Sequence, residues 1–114
     1  MTRVACWSVF TMLAVVGVAS SAAAQDAAKG AMVYEAQKCS VCHSIGGKGN
    51  TKGALDSVGS TLTAAEIREW IVDPVGMAAK HKATRKPVMT AKYASLPKED
   101  LDALVAYMVS LKKK

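Results

Sequence analysis

The chain has 114 residues, with 15 Lys and Arg against 9 Asp and Glu, and a formal net charge of +6 at pH 7. This length leaves room for only one ordinary domain. The basic surplus comes without an aromatic stacking platform, so the composition does not favour a nucleic-acid-binding protein.

The first segment is typical of a secretory signal peptide. Arg3 precedes an apolar run over residues 4–18, and small residues surround Ala24, as at a cleavage site. We expect residues 1–24 to be a cleaved signal peptide and residues 25–114 to be the mature domain. The alternative is a retained membrane anchor, but the apolar run is shorter than the about 20 residues of a bilayer span. The sequence therefore predicts export to the periplasm.

The mature domain is predicted to be helical, and no strand is expected. The first helix should run from about residue 27 to residue 38, with Asp26 as its N-cap. Gly30, Val33 and Tyr34 share one face of this helix at i, i+3 and i+4. A glycine inside a helix lowers helix stability, so Gly30 indicates close approach of another backbone.

Two further helices are predicted. One begins at Thr63, which forms a capping-box pattern with Glu66, and ends before Pro74, because the residue before proline avoids the helical region. The other begins near Pro97 and has a helically spaced apolar stripe. That stripe contains Leu101, Leu104, Val105, Met108 and Leu111. The segments between the helices, a glycine-rich one over residues 44–60 and a basic one over residues 75–89, are predicted to be long loops.

The stretch CSVCH places Cys39, Cys42 and His43 within five residues. A structural zinc site needs four ligands, and adding His81 would supply the fourth, but adjacent Cys42 and His43 are awkward for joint tetrahedral ligation. A disulfide-exchange pair would need a βαβ context. Cys-x-x-Cys-His is also the attachment signature of c-type haem, since both thiols lie on one side of a turn and the next imidazole reaches the iron. A large apolar ligand would also explain the long loops.

Four stretches resemble the small class I cytochromes c of bacteria, over residues 26–114. They are KGAMVYEAQKCSVCH, KGALDSVG, KPVM and LPKEDLDALVAYMVSLKKK. The resemblance implies an all-α class I cytochrome c fold, in which three main helices and long loops enclose one covalently bound haem c. It also implies that the first and last helices cross near Gly30 and Tyr107, and that the function is electron transfer.

The resemblance also implies roles for individual residues. Cys39 and Cys42 would form thioether bonds to the haem, His43 would be the proximal iron ligand, and Leu55 would pack against the haem. The carbonyl of Ala54 would accept a hydrogen bond from the proximal histidine, in place of the proline that the family commonly has there.

The sixth iron ligand is expected to be Met89, at the end of KPVM. Met77 and His81 lie in the same basic segment and remain less favoured alternatives, as does a vacant position. Met32 and Met108 are predicted to be core residues of the first and last helices.

These features predict a soluble, monomeric, periplasmic electron carrier rather than an enzyme. Lys80, Lys82, Arg85 and Lys86 would form either a solvated basic loop or a rim for transient docking to acidic-surfaced redox proteins or membrane redox complexes. Nucleic acid is not an expected partner. Two alternatives remain open: a haem subunit of a larger redox complex, and a haem sensor or peroxidase-like protein with a displaceable sixth ligand.

Overall fold

A computed structural model describes residues 22–114 of the chain. Residues 1–21, which hold most of the predicted signal peptide, lie outside the described residues. Within 22–114 the chain forms five α-helices, one two-stranded sheet and three short 3-10 helices. In chain order the helices and strands are α1 (Ala22–Ala36), β1 (Ser44–Ile45), β2 (Lys48–Gly49), α2 (Val58–Thr61), α3 (Ala64–Val72), α4 (Pro74–Lys80) and α5 (Lys98–Ser110). The 3-10 helices are Cys39–Val41, Thr51–Gly53 and Ala91–Ser95.

Helix α1 begins earlier than predicted. The chain is already helical at Ala22, the first described residue, so Asp26 lies inside the helix and the prediction that this residue is the N-cap is wrong. Alanine has the highest intrinsic helix propensity, and the alanines before Asp26 continue the helix backwards. The helix ends at Ala36, and Lys38 then takes a left-handed conformation with φ 55° at the start of the next turn.

The crossing of α1 and α5 near Gly30 and Tyr107 is confirmed. A Cβ placed on Gly30 would overlap the backbone carbonyl of Ala103 and the Cβ of Tyr107. Next to the crossing, the rings of Tyr34 and Tyr107 meet edge to face, with their centroids 5.9 Å apart. Gly30 therefore sets how closely the two helices approach.

Helix α3 begins with the predicted capping box. Glu66 N donates to Thr63 Oγ1 at 3.2 Å, and Thr63 N donates to Glu66 Oε2 at 2.7 Å. Asp73 ends the helix, as expected. The prediction that a loop follows is wrong, because Pro74 occupies the first turn of α4 and Asp73 caps it, accepting a hydrogen bond from Gly76 N at 3.1 Å. Proline suits a first helical turn, where its missing N–H has no intrahelical partner.

The glycine-rich segment is more ordered than predicted. The expectation of no strand is wrong, because β1 and β2 form an antiparallel hairpin that pairs Ser44 with Gly49 and Ile45 with Lys48. The two linking residues, Gly46 and Gly47, have φ of 59° and 78°, as a two-residue turn of type I′ requires. One 3-10 helix and α2 complete this segment.

The core lies between α1, α3 and α5. It is formed by Val33, Tyr34, Ile67, Ile71, Leu101, Leu104, Val105 and Met108. The prediction of Met32 as a core residue is wrong, because its side chain is 72% exposed on the outer face of α1. Among the helices of residues 22–114, none combines the length and the apolarity needed to cross a membrane.

Candidate functional site

A tight turn follows α1 and carries the two thiols and the imidazole. Cys42 N and His43 N both donate to the carbonyl of Cys39, at 3.1 and 2.9 Å. Both cysteines have free thiols, Cys39 partly buried and Cys42 exposed. Burial is the main reason that the pKa of the Cys39 thiol lies above its ordinary value. This turn brings the side chains of Cys39, Cys42 and His43 to the wall of one cavity.

The imidazole of His43 is oriented by the backbone of a second segment. Its Nδ1 lies 2.9 Å from the carbonyl oxygen of Gly53. Since a carbonyl can only accept, Nδ1 carries the proton and Nε2 keeps its lone pair. The expectation that Ala54 supplies this carbonyl is wrong, because the turn Thr51–Gly53 ends one residue earlier and Ala54 instead bridges to Ser44.

The surroundings of His43 favour its neutral form. Burial lowers the pKa of the imidazole, the hydrogen bond with Gly53 acts in the opposite direction, and the nearby charge of Arg85 lowers the pKa further. A neutral imidazole with a free Nε2 is the form that binds a metal.

A cavity of about 440 Å³ opens beside this turn, within the roughly 300–1,000 Å³ typical of small-molecule sites. Cys39, Cys42, His43, Leu55 and Met89 all line it. The rest of its wall is mainly apolar and aromatic. These further lining residues include Tyr34, Val58, Leu62, Ile67, Trp70, Ile71, Pro87, Val88, Tyr93, Leu104 and Met108. The structure thus brings together all five residues expected at the site, from three separate segments of the chain.

The two alternative sixth ligands lie elsewhere. Met77 is buried in α4 with 4% of its surface exposed, away from the cavity wall. His81 is exposed at the end of α4 and lies beside Trp70, with ring centroids 5.7 Å apart and ring planes tilted by 31°. Among the side chains of residues 22–114, no group of three or more His, Cys, Asp and Glu could hold a metal ion. Met108 is buried as expected and also lines the cavity.

Sequence reasoning missed a contribution of Arg85 to the site. Its guanidinium donates through Nη2 to the carbonyl oxygen of Cys42 and lines the cavity. A Cβ on Gly53 would overlap that guanidinium and the Cys42 carbonyl. The sequence identifies Arg85 only as one charge in a basic segment. A contact between residues 43 positions apart produces no local sequence pattern that would predict it.

The comparison with known families agrees with this geometry. The family model described as Cytochrome c matches residues 27–112. The chain belongs to the cytochrome c family. The predicted all-α cytochrome c fold and haem c cofactor are confirmed, and membership of the family supports a role in haem-based electron transfer. The Cys39-x-x-Cys42-His43 motif is consistent with covalent attachment of the haem.

A curated relative widens the comparison. Cytochrome c oxidase subunit 2 of Alkalihalophilus pseudofirmus is 33% identical over 93 residues, which cover 74% of this chain and 25% of that protein. The chain therefore spans about a quarter of the length of this relative. No solved structure matches the chain.

The residues of the cavity fit a haem. The wall is mainly apolar, as the macrocycle requires, and it carries two thiols for attachment. It also presents an imidazole whose outer nitrogen is fixed by a carbonyl, the usual orientation device for a ligating histidine. The thioether of Met89 lies on the same wall, so both axial donor types known for cytochromes c are present.

Proposed function

We propose that this cytochrome is a periplasmic electron carrier whose haem iron is ligated by His43 and Met89. The observation that carries the proposal is the cavity shared by the two thiols, the fixed imidazole and the loop methionine Met89. The haem supplies the one-electron couple between ferric and ferrous iron. Ligation by histidine and methionine raises the reduction potential, which suits an acceptor of electrons from other redox proteins.

The residues of the cavity have separate tasks in this proposal. Cys39 and Cys42 would hold the haem covalently, and His43 would bind the iron through Nε2 while Gly53 holds Nδ1. Met89 would be the second protein ligand of the iron. The apolar wall, Leu55 included, limits the access of water and so tunes the potential through burial. With two protein ligands, the iron would have no position left for a substrate, which supports a carrier rather than an enzyme.

The charge around the cavity supports transient docking to acidic partners. Lys38, Arg85 and Lys92 line the cavity itself, and Lys82 and Lys86 are exposed in the adjoining segment. Charged rims raise association rates more than they raise affinity. The expected partners are acidic-surfaced redox proteins or membrane redox complexes, met by a monomer. The signal-peptide pattern of residues 1–24 supports export to the periplasm.

The ligand assignment is tested by absorption spectroscopy of the full chain, exported in a host with haem-maturation machinery. We expect a c-type reduced spectrum and, in the oxidised protein, the weak far-red band of a methionine–iron bond. Met89→Ala should abolish the band, and Met77→Ala, a buried methionine away from the cavity, should retain it. Covalent haem without the band in the parent chain, combined with tight carbon monoxide binding, would favour the sensor or peroxidase-like alternative instead.

A second candidate function is favoured by the similarity to an oxidase subunit. The chain matches about a quarter of cytochrome c oxidase subunit 2 of A. pseudofirmus, so a cytochrome of this type can form part of a longer chain. A haem subunit of a larger complex would use the same site with a permanent partner. Gel filtration of a native extract separates the two candidates, since a carrier elutes alone and a subunit elutes with its complex.

A further inference from the structure

Arg85 joins two parts of the site that are far apart in sequence. It lies between α4 and Met89, in the segment that contains the proposed second iron ligand. Its guanidinium donates to the carbonyl of Cys42, the residue directly before His43. The same guanidinium packs against Gly53, whose carbonyl holds His43 Nδ1. One side chain therefore contacts both backbone segments that position the imidazole.

We propose that Arg85 is a positioning residue that clamps the Met89 segment onto the turn carrying His43. This inference rests on the proposed ligation by His43 and Met89. The clamp would hold the segment that contains Met89 against the turn that carries His43. An added ligand would then displace Met89 from the iron less readily.

The chemistry of arginine suits this task. A hydrogen bond from a charged donor is stronger than one between neutral groups, and the planar guanidinium presents several donors in a fixed arrangement. The packing against Gly53 is equally specific, because a side chain at that position would displace the guanidinium. Lysine would keep the charge but lose the fixed geometry.

The charge of Arg85 has a second consequence that can be separated from the clamp. Reduction lowers the positive charge at the iron by one unit, so a fixed cation lining the cavity favours the ferrous state. Loss of the charge should therefore lower the midpoint potential. A lysine at this position should lose the clamp while retaining most of the charge effect.

If Arg85 served only to dock a redox partner, the expected results would differ. Charges that only steer a partner change association rates and their salt dependence. They leave the spectrum and ligand exchange of the isolated protein unchanged. Lys86 is exposed and adjacent in sequence, so Lys86→Gln removes the same charge without touching Cys42 or Gly53 and serves as the matched control.

The experiment compares the haem-loaded parent chain with Arg85→Gln, Arg85→Lys and Lys86→Gln. The affinity of the ferric protein for added imidazole, which competes with Met89, is measured together with the midpoint potential. We expect Arg85→Gln to bind imidazole about tenfold more tightly than the parent, the size of effect that one charge-assisted hydrogen bond supports. Arg85→Lys should bind imidazole nearly as tightly as Arg85→Gln but show a smaller fall in potential, and Lys86→Gln should resemble the parent in imidazole affinity.

A second variant tests the clamp independently, in case the arginine variants fail to fold. Gly53→Ala keeps every charge but places a methyl group where the guanidinium lies, and it should also raise imidazole affinity, whereas Ala54→Ser at the exposed neighbour should not. If Arg85→Gln and Gly53→Ala bind imidazole like the parent while the parent shows its far-red band, the clamp is overturned and the proposed function stands. If the parent has no methionine–iron band, the ligation and the clamp fail together.

Discussion

Gly53 serves the site through its carbonyl oxygen and through the side chain that it lacks. The carbonyl accepts the hydrogen bond from His43 Nδ1, and the missing Cβ leaves room for the guanidinium of Arg85. Its φ lies outside the left-handed region, so the position requires space rather than the backbone freedom of glycine. A single small residue thus supports the proximal ligand from one side and admits the clamp from the other.

Asp102 illustrates a residue whose contribution depends on pH. Its carboxylate accepts hydrogen bonds from Lys98, at 2.6 Å, and from Arg68 of α3. These two bonds lower the pKa of Asp102 below its ordinary value. The contribution of the carboxylate to stability is therefore present above the unfolded pKa, about 3.9, and is lost as the pH falls through the lower folded pKa.

We expect Asp102→Asn to lower the Tm at pH 7, because the amide forms no ion pair with Arg68 or Lys98. The difference in Tm between parent and variant should shrink below about pH 4 and disappear once the parent carboxylate is protonated. Thermal unfolding followed by circular dichroism from pH 7 to pH 2.5 measures this difference. Glu69→Gln, at an exposed position of α3, is the control and should change little. A difference that stays constant over the whole range would contradict the ion-pair assignment.

At the scale of elements, the approach of α1 to α5 makes the sharpest prediction. Helix propensity alone would make Gly30→Ala stabilising by about 1 kcal/mol. The packing predicts the opposite sign, because the new methyl group would overlap the Ala103 carbonyl and the Tyr107 Cβ, which belong to the body of α5. We expect a net loss of about 1–3 kcal/mol in the free energy of unfolding, typical of overpacking. Denaturant unfolding measures it, and a gain in stability would mean that the helices separate easily.

The elements that could be predicted from sequence are those with signals inside a few residues. The capping box of Thr63 and Glu66 gave the start of α3, and Pro97 gave the start of α5. Helix α4 is not evident from the sequence, because Pro74 signals the end of one helix and equally suits the first turn of the next. The hairpin was missed because each strand has only two residues, too short for an alternating pattern.

The same limit applies to the site. The Cys39–His43 motif is contiguous, so spacing was enough to predict its chemistry, and a family resemblance supplied Leu55 and Met89. Arg85 and Gly53 act through contacts made across 43 and 10 residues. Such contacts depend on how the loops fold over the cavity. No sequence pattern within either loop predicts them.

At the scale of the whole molecule, the cavity occupies the place that a larger protein would fill with side chains. Small domains bury limited apolar surface and commonly need a cofactor or a covalent link. Much of the chain between α1 and α5 borders the cavity, including residues of α2, α3 and the segment before α5. The stability of these segments should therefore depend on what fills the cavity.

Removal of both thiols tests this dependence. The double variant Cys39→Ala/Cys42→Ala should contain no covalent haem, measured by its absorption under denaturing conditions. We expect a loss of several kcal/mol in stability, since unfilled apolar volume is costly. At about 4–8 °C per kcal/mol for a domain of this size, the Tm should fall by more than about 20 °C.

Limited proteolysis should locate the change. Trypsin should cut the haem-free variant first in the basic segment, after Lys82 or Arg85, before it cuts α1 or α5. The haem-loaded parent chain, treated in the same way, serves as the control. A haem-free variant with the parental Tm and cleavage pattern would show that the polypeptide folds independently of its cofactor.

The position of Trp70 at the cavity wall has an optical consequence. Trp70 is the one tryptophan within residues 22–114, and it lines the cavity from α3. Indole fluorescence is quenched by a nearby porphyrin through energy transfer. Trp70 emission should therefore be strong in the haem-free chain and weak in the haem-loaded chain. In the purified mature protein, Trp70 fluorescence should therefore report haem loading without any added label.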